Sequence, residues 1–187
     1  NRWSWKNCEG NKAIIEIYAD AHSVQLRLGD KATKKKKLKD CKATFKSSYA
    51  AGTLTAVAFD EKGNEMGRTA LTSASGKTGL QLTAETNTIK QNEVVYIDVS
   101  LIGENGIIES NDDQLLKVTV DGGELLAFGS ANPRTDEEYH KGEFTSYYGR
   151  AQAIVRSGQQ GEITVQVQGV SAGTAELKIQ VKEEGQA

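Results

Sequence analysis

Histidine, cysteine and proline are nearly missing from this chain of 187 residues: there are two histidines, two cysteines and one proline. His22 and His140 lie far apart, and neither has a neighbour at the spacing that holds zinc, so no metal and no cofactor are expected. Cys8 and Cys41 form no Cys-x-x-Cys pair, which removes redox and zinc-knuckle motifs. They leave open one disulfide or two thiols, and only an oxidising compartment would favour the bridge. No Gly-x-Ser-x-Gly elbow, Walker loop or dinucleotide-binding turn follows a strand. The pattern holds no complete active site, and no catalytic residue is expected.

An excess of one charge is lacking as well. Lys and Arg number 23 against 25 Asp and Glu, a net charge of −2, which excludes the basic footprint that nucleic acid requires. No run approaches the roughly 18 consecutive apolar residues of a membrane span, and the mean hydropathy is −0.51. Neither nucleic acid nor a membrane is an expected partner. Opening on Asn1, with neither Met nor a signal peptide, suggests a processed product or a piece of a longer chain.

What the chain has in quantity is period-two alternation. Ala13, Ile15 and Ile17 share one face of Lys12 to Tyr18, and Val24, Leu26 and Leu28 alternate with Gln25 and Arg27. Similar runs cover Leu54 to Phe59, Val94 to Ile102, Leu115 to Val120, Ala151 to Val155, Ile163 to Val167 and Leu177 to Val181. Turn-forming stretches separate them, among them Asp60 to Asn64, Gly103 to Gly106 and Asp121 to Gly123. The small polar segment Thr72 to Gly79 then divides two series of strands. An all-β protein of two consecutive immunoglobulin-like β-sandwiches is expected, at 1–79 and 80–187 with a short C-terminal tail. Helix is limited to one turn at most, where Thr135 and Glu138 resemble a capping box.

Few residues look functional. Trp3 and Trp5 share one side of an extended N-terminal segment, where they could stack on a sugar or pack against a neighbouring domain; interdomain packing is the expectation. Tyr147 and Tyr148, with Phe144, Tyr139 and His140 nearby, could touch a ligand or close the end of a sandwich. Lys34 to Lys37 with Lys39 reads as charge that blunts a sheet edge, not as an anion site. The adjacent acids Asp112 and Asp113, Glu137 and Glu138, and Glu183 and Glu184 would point to opposite faces of a strand, so they read as surface charge and not as a glycosidase pair. Asn111 to Asp113 offers oxygen ligands without the spacing of a calcium loop.

The order of motifs carries a resemblance. Trp3-Ser4-Trp5, Ile14 to Tyr18, Ser23 to Lys31 and Tyr49 to Phe59, followed by Leu80 to Ala84, Val99 to Gly106, Phe128 to Pro133 and Phe144 to Ala151, resemble the C-terminal accessory domains of bacterial family 2 glycoside hydrolases of the β-galactosidase kind. The resemblance spans nearly the whole chain. It implies that the second sandwich is invasin-like, and it implies a non-catalytic region that serves as scaffold, domain docking or substrate access for a catalytic barrel located elsewhere. It implies as partners that barrel, the other domains of the parent enzyme and a carbohydrate, and as location the bacterial periplasm or exterior. Two alternatives stay open: a carbohydrate-binding module acting through Trp3, Trp5, Tyr147 or Tyr148, and a surface adhesin of tandem sandwiches.

Overall fold

The computed structural model describes residues 2–159 and 161–183; Glu184 of the last acidic pair and the tail 185–187 lie outside the described residues. Among these residues there are sixteen strands and no helix. The chain forms two compact units, 1–74 and 75–187. The division falls before the expected boundary at 79, and the hydrogen bonds show why. Ser73 and Ala74 bond to Trp3 and Ser4 of the first unit, whereas Ser75 bonds through both backbone groups to Glu104 and Asn105 of the second.

The first unit contains β1 (Lys12–Tyr18), β2 (Ser23–Leu28), β3 (Lys31–Ala32), β4 (Lys36–Lys37), β5 (Lys42–Ser48), β6 (Thr53–Phe59) and β7 (Glu65–Thr72). One sheet is the antiparallel pair β1-β5, with Ile15 opposite Phe45; the other runs β3-β2-β6-β7, and β4 also borders β2. Alternation turns Ala13, Ile15 and Ile17 of β1 toward a cluster built on Leu26, Leu54, Trp3 and Tyr49. The two-residue strands β3 and β4 place Lys31, Lys36 and Lys37 along the edge of β2, the position where charge discourages further pairing. Asp60 closes the β6–β7 hairpin by accepting the Asn64 amide at 2.8 Å.

The second unit contains β8 (Gly79–Ala84), β9 (Thr88–Lys90), β10 (Val94–Ile102), β11 (Leu115–Asp121), β12 (Gly123–Gly129), β13 (Glu143–Thr145), β14 (Arg150–Ser157), β15 (Gly161–Gly169) and β16 (Gly173–Lys182). Its two sheets run β12-β14-β10-β8 and β13-β11-β15-β16-β9, antiparallel except for β16 beside β9. Strict alternation in β10 buries Val95, Ile97, Val99 and Leu101 against Leu116, Ile163, Val165 and Ile179 of the facing sheet. Each fully buried aliphatic or aromatic side chain contributes about 1.5–3 kcal/mol relative to exposure. This is the sandwich the alternation foretold.

No helix forms at Thr135. Its Oγ1 accepts the Glu137 amide at 3.2 Å and donates to the Glu137 carboxylate at 2.8 Å, a local turn that uses the capping chemistry without a helix behind it.

Candidate functional site

At one end of the first unit, three rings meet edge to face: Trp3 with Trp5 at 5.8 Å, Trp3 with Tyr49 at 5.0 Å, and Trp5 with Tyr49 at 5.3 Å. Trp3 is only 4% exposed, and its indole N–H donates to the Ala50 carbonyl at 3.1 Å. The Tyr49 hydroxyl accepts the Trp5 amide at 3.1 Å and pairs with the Ser73 hydroxyl at 3.2 Å, while Ser73 donates in turn to the Trp3 carbonyl. Trp3 therefore belongs to the core of its own unit. Trp5 is half-buried and borders an open groove of about 540 Å³.

That groove lies between β1 and β7. Its lining is mostly aliphatic, with Ile15, Ile17, Leu26, Leu54 and Leu71, and its polar rim includes Arg2, Glu16 and Thr69. Glu16 is engaged already: Lys42 lies 2.7 Å away and the Tyr18 hydroxyl donates to it at 2.8 Å, and these bonds hold its carboxyl below the usual glutamate range. Tyr49, Ser73 and the groove itself were not singled out in the sequence. Tyr49 gave a signal only as an aromatic beside the small-residue turn Ala50-Ala51-Gly52.

In the second unit, Tyr147 and Tyr148 touch at 4.4 Å in the loop between β13 and β14. Asp113 shapes this loop. Its carboxylate accepts the Gly149 amide at 2.7 Å, the Tyr148 amide at 3.1 Å and the Ser146 hydroxyl at 3.1 Å. Tyr148 adopts a φ of 52° and is 40% exposed, whereas Tyr147 is half-buried. Phe144 is fully buried in the core of the second unit and stacks on Tyr139 at 5.0 Å.

The remaining candidates are committed to structure. Asp112 accepts the Thr78 hydroxyl at 2.9 Å, and Glu137 accepts both the amide and hydroxyl of Thr145. His140 sits 3.1 Å from Glu138 at the surface. Lys35 lies 3.4 Å over the Phe59 ring, and Lys36 donates to the Thr44 carbonyl at 2.6 Å. Cys8 and Cys41 carry thiols and are not bridged, Cys8 half-buried and Cys41 exposed. Among the described residues, no group of three His, Cys, Asp or Glu side chains is placed to hold a metal ion.

Comparison with known proteins gives the following likenesses. The model of the glycoside hydrolase family 2 C-terminal domain 5 matches residues 80–178, and that of a domain of unknown function, DUF4982, matches residues 10–67. A family 2 glycosyl hydrolase from Bacteroides cellulosilyticus is 25% identical with a TM-score of 0.85, covering 95% of this chain and 25% of that one. Two further structures share the fold: a β-glycosidase from Bacteroides vulgatus (22% identity, TM-score 0.79, 97% of this chain and 24% of that one) and a family 2 β-glucuronidase (16%, 0.81, 100% and 20%). The curated proteins give no match. The chain spans about a quarter of the length of the B. cellulosilyticus structure it resembles.

Proposed function

The chain belongs to the glycoside hydrolase family 2 C-terminal domain 5 family, and from that premise we propose that it serves a larger glycosidase as a scaffold on which the catalytic part docks. It is a non-catalytic accessory region. One observation carries the reading: the likeness takes in 95% of this chain but only 25% of the family 2 enzyme it matches. The substrate of the whole protein is a terminal β-linked sugar, with β-galactosides first in line because the motif order at Trp3 to Phe59 resembles that of β-galactosidase accessory domains.

Assaying a chromogenic β-galactoside and a chromogenic β-glucuronide tests the proposal, using the 187-residue chain and the full-length protein, both free of host enzyme. The full-length protein is expected to turn over the galactoside and the chain neither. Turnover by the chain would overturn the accessory role, and preference for the glucuronide would overturn the substrate.

A second reading, glycan contact, is favoured by one feature: the exposed ring of Tyr148 on a loop pinned by Asp113. Such a part-exposed ring, in contact with Tyr147 at 4.4 Å, can stack on a sugar with the side left to solvent.

A further inference from the structure

The groove between β1 and β7 has the form of a sandwich with a strand left out. Each wall is an edge. Among the described residues β1 pairs only with β5 and β7 only with β6, so the second edge of each strand presents alternate N–H and C=O groups without a ladder partner. Between these edges the aliphatic faces of both sheets are incompletely covered: Ile15, Ile17, Ala56 and Leu71 pack on the core while remaining half-exposed.

The other edge of the same sheet is treated differently. Along β2, the lysine-bearing strands β3 and β4 cover and charge the edge. By contrast, no further strand covers β1 or β7 among the described residues: β1 displays Ile14 at 69% exposure, and β7 displays Met66 at 59% where its register with β6 shifts, next to the Glu65–Arg68 pair. An uncovered edge with an exposed apolar side chain invites pairing, most plainly at β1.

We propose that the groove receives an extended, apolar segment of the parent polypeptide from outside these 187 residues, which adds a strand to β1 or β7 and fills the open side of the first sandwich. The inference rests on the accessory role above and names the surface through which it acts. The chemistry of the groove selects this occupant. The Trp5 and Tyr18 rings at the groove could stack on a sugar, but a sugar also needs several convergent polar groups, and of the polar residues there Glu16 is held by Lys42 and Tyr18 and Arg2 has a partner as well. A charged peptide finds little to pair with, because of the two charged residues that line the groove Glu16 is bound to Lys42 at 2.7 Å and Arg2 also has a partner. A second copy would bring an identical groove, so two bare edges would pair while both aliphatic floors stayed open. The accessory role supplies the donor: in the family 2 structure that this chain resembles, the match takes in only 25% of the polypeptide.

Hydrogen–deuterium exchange with residue-level fragmentation on the full-length protein tests this. In a strand with one neighbour, only alternate amides are bonded; with neighbours on both sides, both sets are protected. Both sets are expected to be protected in β1 or in β7, with the outward set at least about tenfold slower than in the variant Thr69→Lys, which places a charge in the groove at an exposed position. Ala70→Lys, on the neighbouring exposed position of β7 that does not line the groove, is expected to leave the protection intact. Outward amides that exchange as fast as free peptide in both strands would overturn the proposal. Protection that vanishes on dilution would overturn it in favour of a second copy. Glycosidase turnover by the same preparation reads the accessory role separately, so an active enzyme with unprotected edges removes the strand and leaves that role standing.

Discussion

Tyr49 holds Trp5 twice, by accepting its backbone amide on the phenol oxygen at 3.1 Å and by meeting its indole edge to face at 5.3 Å. The same oxygen reaches Ser73 at 3.2 Å, so one hydroxyl links the N-terminal segment to the end of β7. Such a link is strong because its members have few alternatives: Tyr49 is 4% exposed and Ser73 equally buried, and an unmade bond there leaves a desolvated polar group.

Three substitutions separate core from surface at this corner. Trp3→Ala removes a buried ring and is expected to cost about 3–5 kcal/mol. Tyr49→Phe keeps the ring and loses the bonds, for about 1–3 kcal/mol. Trp5→Ala, at the half-buried rim, should fall well below Trp3→Ala in urea-induced unfolding of the full-length protein. Equal costs for the two tryptophans would show that the rim position is as enclosed as the core one.

Asp113→Ala strips the acceptor from the amides of Tyr148 and Gly149 and from the Ser146 hydroxyl. The expected loss is about 1–3 kcal/mol, with faster amide exchange at Tyr148 and Gly149. Gly149 cannot be replaced to compensate, because its φ is 71° and a Cβ there would lie 2.3 Å from the Glu109 carbonyl oxygen. A stability change within about 0.5 kcal/mol would mean that the loop holds its shape without the carboxylate.

Glu137 makes the fold sensitive to acid. Partial burial alone would raise its pKa, but hydrogen bonds from Thr145 and Thr135 outweigh it and hold the carboxyl below its ordinary value of 4.5. A lowered folded-state pKa contributes stability that is fully present above 4.5 and is lost as pH falls through the folded value. Glu137→Gln should therefore be less stable than the parent sequence at pH 7, and the gap should close as pH falls below 4.5. Denaturation midpoints between pH 7 and pH 3 measure this; a gap independent of pH would show that the loss is steric.

Much of the architecture was legible because its signals are local. Val94 to Ile102 was readable from alternation alone and forms β10 over the same residues. The tiny strands β3, β4, β9 and β13 were not, since two or three residues carry no period, and their pairing depends on what their neighbours leave open. Thr135 and Glu138 had the composition of a helix cap, but no apolar stripe follows them to bury, so the hydroxyl was taken by the Glu137 turn.

For the candidate sites the balance is reversed. Nothing in Trp3-Ser4-Trp5 distinguishes the ring that turns inward from the ring at the groove, because the choice is made by Ala50 and Ser73, 47 and 70 residues away from Trp3. The groove likewise needs β1 and β7 to stand at two edges, which follows from sheet order and not from either strand's own residues. Period, turn chemistry and residue type act over a few positions, so the all-β class, the two series of strands and the thin catalytic inventory are written in the residues themselves. That Trp3 is core, that Asp113 clamps a loop and that an aliphatic groove lies between two sheet edges emerges only once the chain is folded. Each of those depends on pairings across the chain, which no local window contains.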